Sequence, residues 1–180
     1  LWYSEDIMAF KFIELDKTSL PKTKGMRVDG HRFYNINGTN YPSVTTVLGI
    51  RKTEQLKEWR EKIGEKVANW EMGRAARRGK SFHTLVEQYL KGETPSIRDV
   101  LPLGLFKLMK PYIDQINNIH LLEAIMYSPK LTVAGQVDCV AEYNGKLSVI
   151  DFKTANKERQ ESWIENYFLQ TTAYAHMYEE

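Results

Sequence analysis

Two aspartates and a lysine in neighbouring apolar segments have the composition of a site for metal-dependent phosphodiester cleavage. Asp138 belongs to LTVAGQVDCVAE, and Asp151 and Lys153 belong to KLSVIDFK. Acidic side chains seldom enter apolar strands without a partner, because an unpaired buried carboxylate is costly. A divalent cation relieves the repulsion between two carboxylates, and a nearby lysine stabilises developing charge or orients water. The same residues also fit a solvent-facing Asp151–Lys153 ion pair beside an unrelated Asp138.

The turn between these two segments predicts that they pair as a hairpin. Asn144-Gly145 separates two alternating runs and is the strongest short hairpin signal in the chain. Alternation along the first strand places Gln136 and Asp138 on one face, opposite three apolar residues: Val133, Val137 and Cys139. We therefore expect Asp138 and Asp151 to lie side by side.

Two further pairs of polar residues have helical spacing. His83 and Glu87 are four residues apart, about 40° apart around a helix axis, at the edge of an apolar stripe. Gln170 and Tyr174 have the same spacing on the last predicted helix. Both pairs are candidates for the site. The alternatives are a structural histidine and simple packing of the tyrosine.

Basic residues are concentrated just before this histidine. The segment GRAARRGKSFH carries four positive charges and no acid: Arg74, Arg77, Arg78 and Lys80. It is either a phosphate-binding rim, with Arg77 and Arg78 as candidate contacts, or a solvated helix end. The whole chain has a net charge of only +2, which excludes a protein that coats nucleic acid by bulk charge. Residues 51–80 nevertheless hold ten basic residues and five glutamates, so a basic rim beside an acidic metal site fits this balance.

The elements that must position these residues follow the order helices, strands, helix. Turn formers fill residues 1–50, where Asn37-Gly38 separates HRFYNI from YPSVTTVL and predicts a small hairpin. Apolar spacing predicts helices over residues 53–70, 81–90, 103–119 (the last containing Pro111) and 163–180. Three strands are predicted over residues 122–127, 131–142 and 146–153. This order indicates an α/β fold.

Composition excludes several classes of protein. The 180 residues are 42% hydrophobic and 27% charged, which is typical of a folded globular chain. The single cysteine, Cys139, excludes an intramolecular disulfide and a four-cysteine iron–sulfur cluster. No apolar run reaches the ~18 residues that a membrane span needs. The first residues, LWYSEDIMAFKF, lack a basic region and a cleavage site, so we expect an intracellular protein, in a bacterial cytoplasm or a phage-infected host cell.

These motifs together resemble a known family. The set His83, Asp138, Asp151-Phe152-Lys153 and Gln170-x-x-x-Tyr174 resembles the RecB-like branch of the PD-(D/E)XK nucleases, in particular the mitochondrial genome maintenance exonucleases and their phage and bacterial relatives. GQVDCVAEYNGKLSVIDFKT resembles the core hairpin of this family, with YPSVTTVL and GKSFHTLVE in the expected order upstream. The resemblance covers roughly residues 40–180.

The resemblance implies a fold and roles for individual residues. It implies a restriction-endonuclease-like nuclease domain over residues 51–180, lacking C-terminal structure of the family core, after an N-terminal extension over residues 1–50. The metal ligands would be His83, Asp138, Asp151 and the Phe152 carbonyl, and the catalytic residues would be Asp138, Asp151 and Lys153. The residues that support the site or contact nucleic acid would be Gln170 and Tyr174, and Glu87 matches a family acid.

The resulting hypothesis is a Mg²⁺- or Mn²⁺-dependent DNA exonuclease. We expect it to act as a monomer on single-stranded DNA or DNA ends, in replication, repair or recombination, without an iron–sulfur cluster or a membrane partner. The alternatives are a structure-specific endonuclease, a nucleic-acid-binding module with an inactive nuclease site, and a metal-free structural domain.

Overall fold

Two antiparallel sheets and five helices make up the computed structural model of the protein, which describes residues 10–96, 98–156 and 161–180. The first sheet consists of β1 (Gly25–Val28), β2 (His31–Ile36) and β3 (Thr39–Pro42). The next four elements are α1 (Val44–Ile50), α2 (Thr53–Ile63), α3 (Glu65–Leu90) and α4 (Val100–Ile113). The second sheet consists of β4 (Ile116–Ser128), β5 (Val133–Tyr143) and β6 (Lys146–Ile150), and α5 (Glu161–Glu179) follows it. Among the described residues, no helix combines the length and apolar content that crossing a bilayer requires.

The second sheet is the predicted meander, so the α/β fold class is confirmed: helices, three strands, then a helix. Its strands pair in the order β4-β5-β6. Asn144 and Gly145 have φ values of 50° and 74°, as a tight two-residue hairpin turn requires, and they connect β5 to β6. The predicted pairing of the two strands around this turn is confirmed.

Three of the predicted helices have wrong boundaries. The helix predicted over residues 53–70 is divided by Gly64, whose φ of 83° ends α2 in a conformation that favours glycine. The remainder joins the helix predicted over residues 81–90 to form α3, of 26 residues. The helix predicted over residues 103–119 ends at Ile113, and Ile116 and Ile119 are buried in β4 instead. Short apolar runs do not distinguish a buried strand from a helix.

The second sheet separates two apolar layers. α3 and α4 cover one face with residues such as Phe82 and Phe106. α1 and α5 cover the other face with residues such as Val44 and Tyr174. Residues of α3 and α5 also meet Asp138, within β5, around one cleft.

Val137 and Cys139, predicted on one face of β5, lie in different layers. The pairing of β4 with β5 shifts register between Asn117 and Leu121, and it skips one pair between Leu122–Cys139 and Ala124–Val137. At that point Glu123, with φ 49°, lies opposite Asp138. Because the strands depart from simple alternation there, the predicted division of β5 into two faces is wrong beyond Asp138.

The first sheet packs against the start of β5. β2 and β3 pair around Asn37-Gly38, and Tyr34 is buried with Ile36 and Ala134. An isolated bridge joins Ser43 to Ala134. The segment expected to form an N-terminal extension therefore lies beside the strand that carries Asp138.

Candidate active site

A cleft of about 560 Å³ opens where the first sheet, α3, the second sheet and α5 meet. It is lined by five of the residues that the sequence singles out: His83, Glu87, Asp138, Gln170 and Tyr174. Arg32, Lys80 and Glu123 also line it. The fold thus brings residues from both ends of the chain into one cavity.

Three ligand atoms converge inside this cleft. His83, Glu123 and Asp138 each offer one atom, and these atoms lie within 4.8 Å of one another. His83 Nδ1 lies 3.5 Å from Asp138 Oδ1 and 3.7 Å from Glu123 Oε1. His83 Nε2 donates a hydrogen bond of 2.7 Å to the Phe152 carbonyl, so the other ring nitrogen faces the two carboxylates. One nitrogen and two carboxylates fit a divalent cation such as Mn²⁺ or Mg²⁺.

The charges of this triad depend on burial. Burial of the Asp138 carboxylate raises its pKa to about 6, against the opposing effect of His83 and with a further contribution from the charge of Asp151. Burial lowers the pKa of His83, but the nearby carboxylates of Glu123 and Asp138 outweigh this, so its pKa is raised. Two carboxylates therefore face one another in a poorly solvated place and favour a positive charge between them.

Phe152 connects this triad to the segment that follows β6. Its N–H donates a hydrogen bond of 2.7 Å to Asp138 Oδ2, and its carbonyl accepts from His83. Its ring lies edge-on to Phe82, with the ring centroids 6.5 Å apart. Asp138 is therefore held to the segment that carries Asp151 and Lys153, so it is not an unrelated acid.

Asp151 and Lys153 lie just beyond β6, not within the strand predicted over residues 146–153. They form an ion pair, as the alternative interpretation expects. However, the Asp151 side chain is only 5% exposed, and its charge contributes to raising the pKa of Asp138. The Lys153 side chain is 35% exposed, and its Nζ lies 5.4 Å from the centroid of the Tyr167 ring. Neither side chain lines the cleft of the triad, since both line a second cavity together with Tyr167. The backbone hydrogen bonds of Phe152, the residue between them, join the pair to the triad.

Gln170 and Tyr174 are buried on α5, at the back of the cleft. Gln170 Nε2 donates a hydrogen bond of 3.4 Å to the Tyr174 hydroxyl. Burial raises the pKa of this hydroxyl, so it remains protonated. Both side chains line the cleft and therefore shape its wall.

The basic residues before His83 divide into two groups. Arg77 is exposed on α3. Arg78 is only 8% exposed and turns inward, where its guanidinium contacts Thr154 and Asn156, so it does not belong to an exposed rim. Glu87 lines the cleft but accepts a hydrogen bond of 2.6 Å from Lys91.

Glu123 is the site residue that the sequence analysis missed. It lies in the apolar run HLLEAIMYS, so the criterion that singled out Asp138 applies to it as well. Its φ of 49° is a left-handed conformation that costs a residue with a side chain ~1–2 kcal/mol. Gln136 Nε2 donates a hydrogen bond of 2.6 Å to its carboxylate. Backbone strain at a residue of a polar cleft is typical of functional sites.

Substitution of Glu123 by glutamine should weaken metal binding. The change removes one of the two negative charges that face His83 Nδ1, so we expect about tenfold lower Mn²⁺ affinity. The measurement is the rise in melting temperature across a Mn²⁺ titration. Glu142→Gln, elsewhere on β5, is the matched control, and an unchanged Mn²⁺ midpoint in Glu123→Gln would contradict the assignment.

Substitution of Gly135 by alanine should destabilise the protein. A Cβ atom there would lie 2.6 Å from Tyr174 Cε1 and 2.7 Å from its hydroxyl oxygen, and the ring is buried and cannot move away easily. We expect a loss of about 1–3 kcal/mol in the free energy of unfolding, measured by urea denaturation. Gly104→Ala is the control, because its Cβ would meet no atom within 4 Å. Equal stability of the two variants would show that the close packing of Tyr174 is wrong.

The chain matches known proteins over most of its length. A family profile of the PD-(D/E)XK nuclease superfamily matches residues 32–180. Mitochondrial genome maintenance exonuclease 1 of Homo sapiens is 33% identical over 147 residues, which cover 74% of this chain and 42% of that protein. The protein of the same name from Mus musculus is 31% identical over 128 residues (66% and 38%), and that from Xenopus tropicalis is 31% identical over 142 residues (71% and 40%). The chain thus spans about two fifths of the length of these relatives. It belongs to the PD-(D/E)XK nuclease superfamily.

Proposed function

We propose that this chain carries the active site of a DNA exonuclease that depends on Mg²⁺ or Mn²⁺. The observation that carries the proposal is the buried connection between the His83–Glu123–Asp138 triad and the Asp151–Lys153 pair. Metal-dependent phosphodiester hydrolysis can use both parts: ligands that hold a cation, and a positively charged side chain that stabilises developing negative charge. The relatives named exonucleases support the same reaction.

The donor set of the triad fits a divalent cation. His83 Nδ1 and the carboxylates of Glu123 and Asp138 would hold it, with Asp151 as a further ligand if it separates from Lys153. When bound, a divalent cation stabilises charge on a phosphate and lowers the pKa of water. The Phe152 carbonyl faces His83 in this structure, so its expected role as a ligand stays a prediction.

Lys153 would act on the substrate. Its ammonium group is the more exposed member of the pair with Asp151, so it can turn toward a phosphate oxygen or an attacking water. Asp151 limits its position, and the nearby Tyr167 ring favours a cation at this place. The lysine would therefore donate hydrogen bonds to the group that gains negative charge.

The walls of the cleft support a nucleic-acid strand as the substrate. Arg32 on β2 and Lys80 on α3 both line it, and both are exposed. Cations on opposite walls can contact phosphates on either side of the bond to be cleaved. We propose that the substrate is single-stranded DNA or a free DNA end, and that the enzyme acts in replication, repair or recombination.

A time course with end-labelled linear single-stranded, linear double-stranded and circular single-stranded DNA tests the proposal. We expect release of short products from linear DNA in Mn²⁺ or Mg²⁺, none in EDTA, and an intact circle. Cleavage of the circle would identify an endonuclease instead. DNA binding without cleavage in either metal would identify an inactive binding module.

A further inference from the structure

Arg78 is a buried charge whose partners lie far away in the sequence. Its side chain leaves α3 and is 8% exposed. Its Nε donates a hydrogen bond of 3.4 Å to Thr154 Oγ1, and its Nη1 donates to Asn156 Oδ1. A buried guanidinium is unfavourable without acceptors, so both contacts favour this position of the side chain.

Both partners belong to residues 151–156, the segment that follows β6. Three of its residues are attached inward: Phe152 to His83 and Asp138, and Thr154 and Asn156 to Arg78. Asp151 and Lys153, which flank Phe152, pair with each other. Residues that are attached to the protein interior therefore alternate along the segment with Asp151 and Lys153, the two residues proposed to take part in the chemistry.

The part of α3 from Arg78 to His83 lies close to this segment. Gly79 follows Arg78, and a Cβ atom at that position would lie 3.7 Å from Thr154 Oγ1. His83, one helical turn further on, reaches the Phe152 carbonyl. One helix thus contacts the segment on both sides of Lys153.

We propose that Arg78 is a positioning residue for Lys153. This role rests on the proposed function. The Arg78 guanidinium fixes the segment after Lys153, while His83 and Asp138 fix the backbone before it. The lysine is then presented at one place relative to the triad. Arginine suits this task because its planar group reaches two acceptors at once, which a lysine ammonium cannot do with the same geometry.

Steady-state kinetics of Arg78→Met and Arg78→Lys test this role. We expect kcat to fall about 10- to 100-fold in Arg78→Met, because small displacements of a catalytic group are costly. The KM for DNA and the Mn²⁺ midpoint of thermal stabilisation should stay unchanged, because the cleft wall and the triad are untouched. Arg78→Lys should recover part of kcat. Lys66→Met, an exposed position on the same helix, should behave as wild type.

A second variant approaches the same contact from the other side. Thr154→Val removes the hydroxyl acceptor with little change in volume, and we expect a smaller fall in kcat. Combined with Arg78→Met, it should cause no further loss, because both changes break the same link. Full additivity, an unchanged kcat in Arg78→Met, or a rise in KM alone would overturn the proposal.

Hydrogen exchange separates this proposal from the proposed function. Peptides covering residues 151–156 should exchange faster in Arg78→Met than in wild type, with the rest of β5 and β6 unchanged. This outcome supports the attachment even if the wild-type chain cleaves no DNA, a result that would refute only the nuclease proposal. Unchanged exchange over residues 151–156 would overturn the role of Arg78 whatever the activity.

Discussion

Replacement of Asp138 by asparagine is expected to reduce metal-dependent DNA cleavage by about 10²- to 10³-fold or more while leaving the protein folded. Among the described residues, Asp138 is the only acid whose two oxygens contact both parts of the proposed site. Its Oδ1 faces His83, and its Oδ2 accepts a hydrogen bond from the Phe152 N–H. Asparagine can still accept from Phe152, so the segment after β6 keeps its place. The variant loses the charge that would hold a cation.

The stability of the Asp138→Asn variant gives the prediction a second readout. Burial raises the pKa of Asp138 to about 6, above its ordinary value of 3.8, so the folded chain binds this proton more tightly than the unfolded chain does. Without metal, its charged form therefore destabilises the fold, and stability falls as the pH rises through this range. At pH 8 the metal-free variant should melt no lower than wild type, and it should gain little from Mn²⁺.

Activity assays and thermal melts with and without Mn²⁺ measure both effects. Asp99→Asn, at an exposed position before α4, serves as the control and should keep cleavage and the Mn²⁺ response. Wild-type cleavage by Asp138→Asn would refute its assignment. A full Mn²⁺ response in that variant would show that the cation binds elsewhere.

The nearness of Asp138 to Asp151 could be predicted because the contact is local. A two-residue turn at Asn144-Gly145 fixes the register of the β5–β6 hairpin, and both aspartates lie on or just beyond its strands. Glu123 could not be placed in the same way. Its approach to His83 depends on pairing between β4 and β5 and on a left-handed backbone conformation, which no residue pattern in HLLEAIMYS announces.

The inward orientation of the Arg78 side chain also could not be predicted from the sequence. Three arginines and a lysine within seven residues are typical of an exposed basic surface, and local composition does not distinguish one of them from the others. Burial of Arg78 is decided by acceptors more than 70 residues away, on Thr154 and Asn156. The end of α2 at Gly64, in contrast, has a local cause. Apolar spacing alone predicts a helix that continues past this residue, but the positive φ of Gly64 ends it.

Replacement of Lys153 by glutamine should separate catalysis from metal binding. We expect cleavage to fall by about 10²- to 10³-fold, because glutamine lacks the positive charge that the Lys153 ammonium group would direct toward the developing negative charge. The triad does not include Lys153, so the rise in melting temperature with Mn²⁺ should persist. Loss of its positive charge also frees Asp151 from the ion pair, and the Mn²⁺ midpoint should therefore stay the same or shift to lower concentration.

Single-turnover cleavage rates and Mn²⁺ titrations by thermal melting test this separation. Lys146→Gln is the matched control, since Lys146 is exposed at the start of β6, the strand that precedes Lys153, and lies at the opposite end of that strand. It should keep the wild-type rate at equal ionic strength. Wild-type cleavage by Lys153→Gln would refute its catalytic role. If the Mn²⁺ response vanished together with activity, Lys153 would instead be required to build the metal site, and the division between a cation-binding triad and a catalytic lysine would be wrong.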